Sequence, residues 1–259
     1  VTLAPVTPPP VTLPPVTLAP GAPASAVVTL ADYPLAPGAT WLYRTYDTID
    51  TGEHGVAEER GSLTVRTLAV HRHGDLTVAT LETRRVVNAE TDTQISWQVI
   101  ETGAAPAGKP AAPAPARVHT IAEVNRLRQI LDGGASTLRA SDADLAFPIR
   151  TGALWGDERL LARGDGLYVN RVEAPVEVEV PAGRLKAWPI VFATLPERIT
   201  TWFSPGVGVV RYEYAHNGSL SRESYELLEF RRGAADTLAL VRYLDGVVHR
   251  LTDYPDFWP

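Results

Sequence analysis

The chain has 259 residues, 45% hydrophobic and 8% aromatic, enough for a sizeable core in one large β domain or two smaller ones. A net charge of −6, with acids and bases interspersed, argues against phosphate-driven nucleic-acid binding and against a basic membrane-surface patch. The lack of cysteine excludes disulfides, thiolate metal sites and cysteine nucleophiles, and no apolar run reaches the roughly eighteen residues of a membrane-spanning helix.

The chain contains no methionine and begins at Val1, as expected of a processed, exported protein or of a trimmed chain. Residues 1–20 are four copies of a five-residue unit, from Val1-Thr2-Leu3-Ala4-Pro5 to Val16-Thr17-Leu18-Ala19-Pro20. Each proline fixes φ and removes a donor, so residues 1–30 are predicted to be an extended spacer rising about 3.1 Å per residue. Two uses are open to this uncharged tail. It is a linker through the wall or close to a membrane, or it docks, with Val1, Leu3, Val11, Leu13, Val16 and Leu18 along a partner's groove or sheet edge.

A first β half is expected over 31–102. Strands are predicted at about 41–48 and 93–101, and the period-two runs Ser62 to Val70 and Leu76 to Thr83 flank a hairpin turn at Gly74-Asp75. Residues 103–116 hold four prolines and seven alanines and read as a loop or hinge. A second half over 117–232 begins with helical spacing at Ile121, Val124, Leu127 and Leu131, ended by Gly133-Gly134. Strands are predicted at about 166–180, 185–194, 198–203, 208–216 and 223–231, with Val176 to Val180 turning valines inward and glutamates outward. In the closing segment, 233–259, Phe257 and Trp258 either pack back on the body or anchor a partner. The fold class is therefore mainly β, an antiparallel twisted sheet or a partly open barrel or sandwich with one short helix.

Tyr33-Pro34-Leu35, Gly38 and Trp41 share their spacing with Phe147-Pro148-Ile149, Gly152 and Trp155. Either the halves are related by duplication, each opening with a turn that drops a tryptophan into the core, or turn residues coincide. Together with Val180-Pro181-Ala182-Gly183 and Trp202-Phe203-Ser204-Pro205-Gly206-Val207-Gly208, the second phrase resembles a family of exported, mostly β, bacterial envelope proteins. The resemblance spans about residues 31–232. It implies a shape similar to half-barrel envelope lipoproteins that carry or shelter hydrophobic molecules, placed in the periplasm or envelope, but not any functional residue.

His71-Arg72-His73 is the sharpest chemical motif. Residues two apart on a strand share a face, so both imidazoles are expected to point one way and to seed a copper or zinc site, with Asp75, His54 or His119 as further ligands. This string alone resembles copper-binding superoxide dismutases; two exposed histidines beside a turn are the plainer reading. The carboxylate pairs Glu58-Glu59, Asp142 with Asp144, Asp157-Glu158, and Glu177 with Glu179 read as solvated surface. Three functions follow: an accessory that binds a larger envelope or surface-layer assembly, a copper-dependent superoxide dismutase, and a carrier of an apolar ligand.

Overall fold

The computed structural model describes residues 27–233 apart from 51–54, 104–113 and 220. In β1 (Thr40–Asp50) every second side chain, Trp41, Tyr43, Thr45 and Asp47, is buried, the signature of a strand with one enclosed face. β2 (Val56–His73) and β3 (Leu76–Val87) form the hairpin around Gly74-Asp75. β4 (Glu90–Thr102), β5 (Ala116–Ile121) and β6 (Leu145–Phe147) extend the meander. The chain continues through β7 (Leu154–Gly156), β8 (Val169–Val172), β9 (Val176–Val180), β10 (Gly183–Ala193), β11 (Glu197–Ser204), β12 (Gly208–His216) and β13 (Arg222–Arg231).

All pairings are antiparallel, and β13 pairs with β1 to join the two meanders into one sheet of thirteen strands. Its order is β6-β5-β4-β3-β2-β1-β13-β12-β11-β10-β8-β7, with β9 on β10 off this path. The edges β6 and β7 approach each other: the Trp155 indole on β7 donates to Ala143 O just before β6, at 2.9 Å. The result is a nearly closed, barrel-like sheet whose two edge strands have three residues each, too short to template further strand addition.

Three differences from the sequence expectation have local causes. The strand predicted over 166–180 is two strands, because Pro175 has no N–H to donate to a ladder. Helix α1 (Val124–Gly133) starts three residues later than its apolar spacing, because Ile121 pairs with Trp97 as the last residue of β5. A helical turn and a half, α2 (Glu158–Arg163), is added where Asp157 caps Arg159 N at 2.9 Å.

The two tryptophan turns share their hydrogen bonding. Gly38 donates to Thr67 O, Thr67 to Ala39 O and Ala39 to Ala36 O; Gly152 donates to Val172 O, Val172 to Ala153 O and Ala153 to Arg150 O. Both glycines have φ of 81°, where a Cβ is disfavoured. Each turn leads into a strand whose tryptophan donates its indole N–H to a backbone carbonyl, Trp41 to Val207 and Trp155 to Ala143.

The sheet has a core on each face. Inside, Tyr33 lies between Phe147 and Phe203, at 5.9 and 6.0 Å between ring centroids, and ties β6 to β11 across the enclosed space. Outside, α1 buries Leu127 and Ile130 on Leu76, Val78, Trp97 and Val99. The β9–β10 hairpin packs near β13, where Ala182 N donates to Leu227 O at 2.9 Å. No helix among the described residues is long and apolar enough to cross a membrane.

Candidate functional site

Because cross-strand partners share a face, the register fixes what the lumen presents. Three successive rows cross the inner face of β13, β1, β2 and β3. The first is Leu227, Tyr43, Leu63 and Arg85. The second, starting on β12, is Tyr212, Tyr225, Thr45, Gly61 and Val87. The third is Tyr214, Glu223, Asp47 and Glu59. Adjacent rows are about 7 Å apart along the strands.

Against the first row lies a cavity of about 160 Å³, lined by Tyr33, Trp41, Tyr43, Val65, Leu81 and Tyr225 among others. Its aromatic walls are held by their polar ends. The Tyr33 hydroxyl donates to Gln98 Oε1 at 2.7 Å, the Trp41 indole to Val207 O at 2.5 Å, and the Tyr43 hydroxyl to Val209 O at 2.9 Å. Tyr225 meets Tyr43 edge-on at 5.0 Å and stacks on Tyr212 at 4.7 Å. Burial pushes the hydroxyls of Tyr33, Tyr43 and Tyr225 far up from their ordinary value, and that of Tyr212 to about 12, so all four are neutral donors. An apolar cavity of this size accepts a single aromatic ring, as a cavity of about 150 Å³ accepts benzene.

The third row is ionic. Arg85 bonds the Asp47 carboxylate and lies 3.8 Å from Glu223. It reaches from β3 to β1 across the width of β2. Burial raises the Asp47 carboxyl above the ordinary carboxylate range, opposed by Arg85 and reinforced by Glu59; burial, then Asp47, raises Glu223 likewise.

The histidine pair lies elsewhere. His71 and His73 stand on the outer face of β2, exposed; His73 Nε2 is 3.1 Å from Leu131 O of α1, and partial burial and His73 push the His71 imidazole down. His119 is in the same cross-strand row as His71, but Val78 and Val99 intervene. Three strand spacings separate the two by about 14 Å. His119 is 1% exposed, with Nε2 3.5 Å from Glu101. Asp75 is exposed in the hairpin turn. His54 lies outside the described residues, as do Val1, Leu3, Val11, Leu13, Val16, Leu18, Phe257 and Trp258. Among the described residues no three His, Asp or Glu side chains converge on a point that would hold a metal ion, so the copper reading gains no support. Protein purified without a His-tag is expected to carry substoichiometric copper and zinc, unchanged by His71→Ala/His73→Ala; one equivalent lost in that variant would contradict this.

All the carboxylates that the sequence singled out in the second half of the chain, Asp142, Asp144, Asp157, Glu158, Glu177 and Glu179, are exposed; Asp144 accepts from Thr120 N at 2.7 Å, and partial desolvation raises its carboxyl. Apart from Trp41, which its turn was expected to drop into the core, the lumen residues escaped the sequence reading, because Leu42, Arg44, Tyr46 and Thr48 on the other face of the same strand are equally mixed in polarity.

No protein-family model matches the sequence, and no curated protein sequence matches it. Among solved structures, the chain is similar to a Bacteroides fragilis NCTC 9343 protein described as exported, with a YmcC-like fold, at 10% identity and a TM-score of 0.36. It is similar also to a Parabacteroides distasonis ATCC 8503 protein described as a lipoprotein, at 10% identity and a TM-score of 0.37. Each match covers 80% of this chain and 100% of the other.

Proposed function

We propose that this protein is an exported accessory of the cell envelope that works by binding. Its barrel-like domain engages a larger surface assembly and seats a ring-sized apolar group in the lumen, with the proline-rich segment as tether. The observation that carries this reading is the preformed cavity of about 160 Å³ between Tyr33, Trp41, Tyr43 and Tyr225, whose walls are fixed by hydrogen bonds rather than left to collapse. A free apolar ligand would use the same cavity, which keeps the carrier as the second reading.

Titration calorimetry of the full chain with 2-phenylethanol tests it. One-to-one binding is expected, weakened at least about tenfold by Val65→Phe, which places a ring in the cavity. No saturable binding by the parent protein, or equal binding by the filled variant, overturns the proposal.

A further inference from the structure

The turn between β12 and β13 sets a reactive dipeptide beside a base. Of the four asparagines in the chain, Asn217 is the one followed by glycine, and both residues are exposed. Without a Cβ, Gly218 leaves its backbone nitrogen open to the Asn217 side chain, one bond short of a five-membered ring. That nitrogen is a poor nucleophile until it gives up its proton. Gly218 N donates to His216 Nδ1 at 3.0 Å. An accepting Nδ1 assigns the imidazole's own hydrogen to Nε2, the neutral form that can take a proton. The ring lies against the glycine, since a Cβ on Gly218 would come within 2.8 Å of His216 Cε1. Asn217 N donates to Pro196 O at 2.6 Å, which anchors the residue ahead of the reacting atoms. Across the turn the backbone bonds are long, 3.5 Å from Ser219 N to His216 O and 3.4 Å from His216 N to Ser221 O, so little opposes the rotation that ring closure needs.

We propose that Asn217-Gly218 is a self-modifying site at which His216 serves as the general base. As His216 Nδ1 takes the proton from Gly218 N, that nitrogen attacks Asn217 Cγ and the N–Cγ bond forms. The Cγ–Nδ2 bond then breaks. The leaving nitrogen recovers the proton from the imidazolium and departs as ammonia, which leaves a cyclic succinimide. Water opens the ring at either carbonyl, giving an aspartyl or an isoaspartyl residue; nothing is oxidised or reduced. The product alters how two turns meet. Asn217 Nδ2 reaches Leu195 O of the β10–β11 turn at 3.4 Å, and His216 pairs with Glu197. The aspartyl form replaces that donor by a carboxylate facing a carbonyl and near Glu197, so the turns repel where they now touch. The isoaspartyl form lengthens the backbone of the turn by a methylene. The site is separate from the lumen cavity and does not depend on it.

The test incubates the full chain in neutral buffer and follows its tryptic peptide Tyr212–Arg222. Mass spectrometry reads the heavier deamidated form, and chromatography separates the aspartyl and isoaspartyl products. Conversion is expected at Asn217, slowed at least about tenfold in His216→Gln and in His216→Phe, two variants of different bulk that both lack the base. His216 is half-buried at the last position of β12, so both variants are expected to keep the parent's circular dichroism. In the free peptide Tyr212–Arg222 nothing holds the imidazole on Gly218 N, and the same substitutions should change the rate by less than about twofold. No conversion at Asn217 in the folded parent overturns the site. Equal rates in the parent and the folded variants, or the same slowing in the free peptides, overturn the assignment of His216 as the base.

Discussion

Phe203→Ala is expected to lower the unfolding free energy by about 4 kcal/mol, read from urea denaturation with an unchanged m-value. Phe203 is fully buried, stacks on Tyr33 at 6.0 Å and meets Phe147 edge-on at 5.8 Å. Those three rings come from β11, from the segment before β1 and from β6, so they join both halves of the sheet across the lumen. Truncation removes the largest buried side chain there and leaves a cavity that a closed sheet cannot collapse to fill. A loss below about 1 kcal/mol would mean that this face is open to water rather than enclosed.

Arg85→Ala gives the second large effect, and its pH dependence is the diagnostic part. Asp47 is 7% exposed at its side chain and loses its cation, which costs about 3–5 kcal/mol for a fully buried pair. Arg85 itself is 40% exposed, so solvent screens part of this and about 2 kcal/mol is expected at about pH 7. Burial already raises the Asp47 carboxyl above its unfolded value, so the folded chain keeps that proton to higher pH than the unfolded chain does. The corresponding stability is present at low pH and is lost as pH rises through the folded value. Without Arg85 that value climbs further, so the deficit should shrink as the pH is lowered through the acid range and protonation removes the buried Asp47 charge in both proteins. A deficit that does not change with pH would show that Arg85 acts through packing alone.

Much of the fold could be read from local pattern. Alternation located β1, the β2–β3 hairpin and β10 to β13, and the Gly-Trp spacing at 38–41 and 152–155 marked two turns whose hydrogen bonds coincide. Short elements escaped: β6 and β7 have three residues each, below any useful period, and α2 depends on one Asp157 cap. The lumen site was hidden for a different reason. Asp47 and Glu223 become neighbours through the β1–β13 pairing, the most distant joint in the described sheet, and Arg85 reaches Asp47 from β3 across the width of β2. Nothing local announces which face of β1 will be enclosed. His71 and His73 show the converse, a sharp local motif on the outer face of the sheet whose in-row neighbour, His119, is two strands too far away.

The most direct measurement is the set of intermolecular NOEs between ring protons of bound 2-phenylethanol and the protein. Contacts to Trp41, Tyr43, Leu81 and Tyr225 are expected, because these side chains wall the lumen cavity. Contacts confined to Trp97, Ile121 or other residues of the α1 face, or none at all, would contradict the binding function assigned to the lumen.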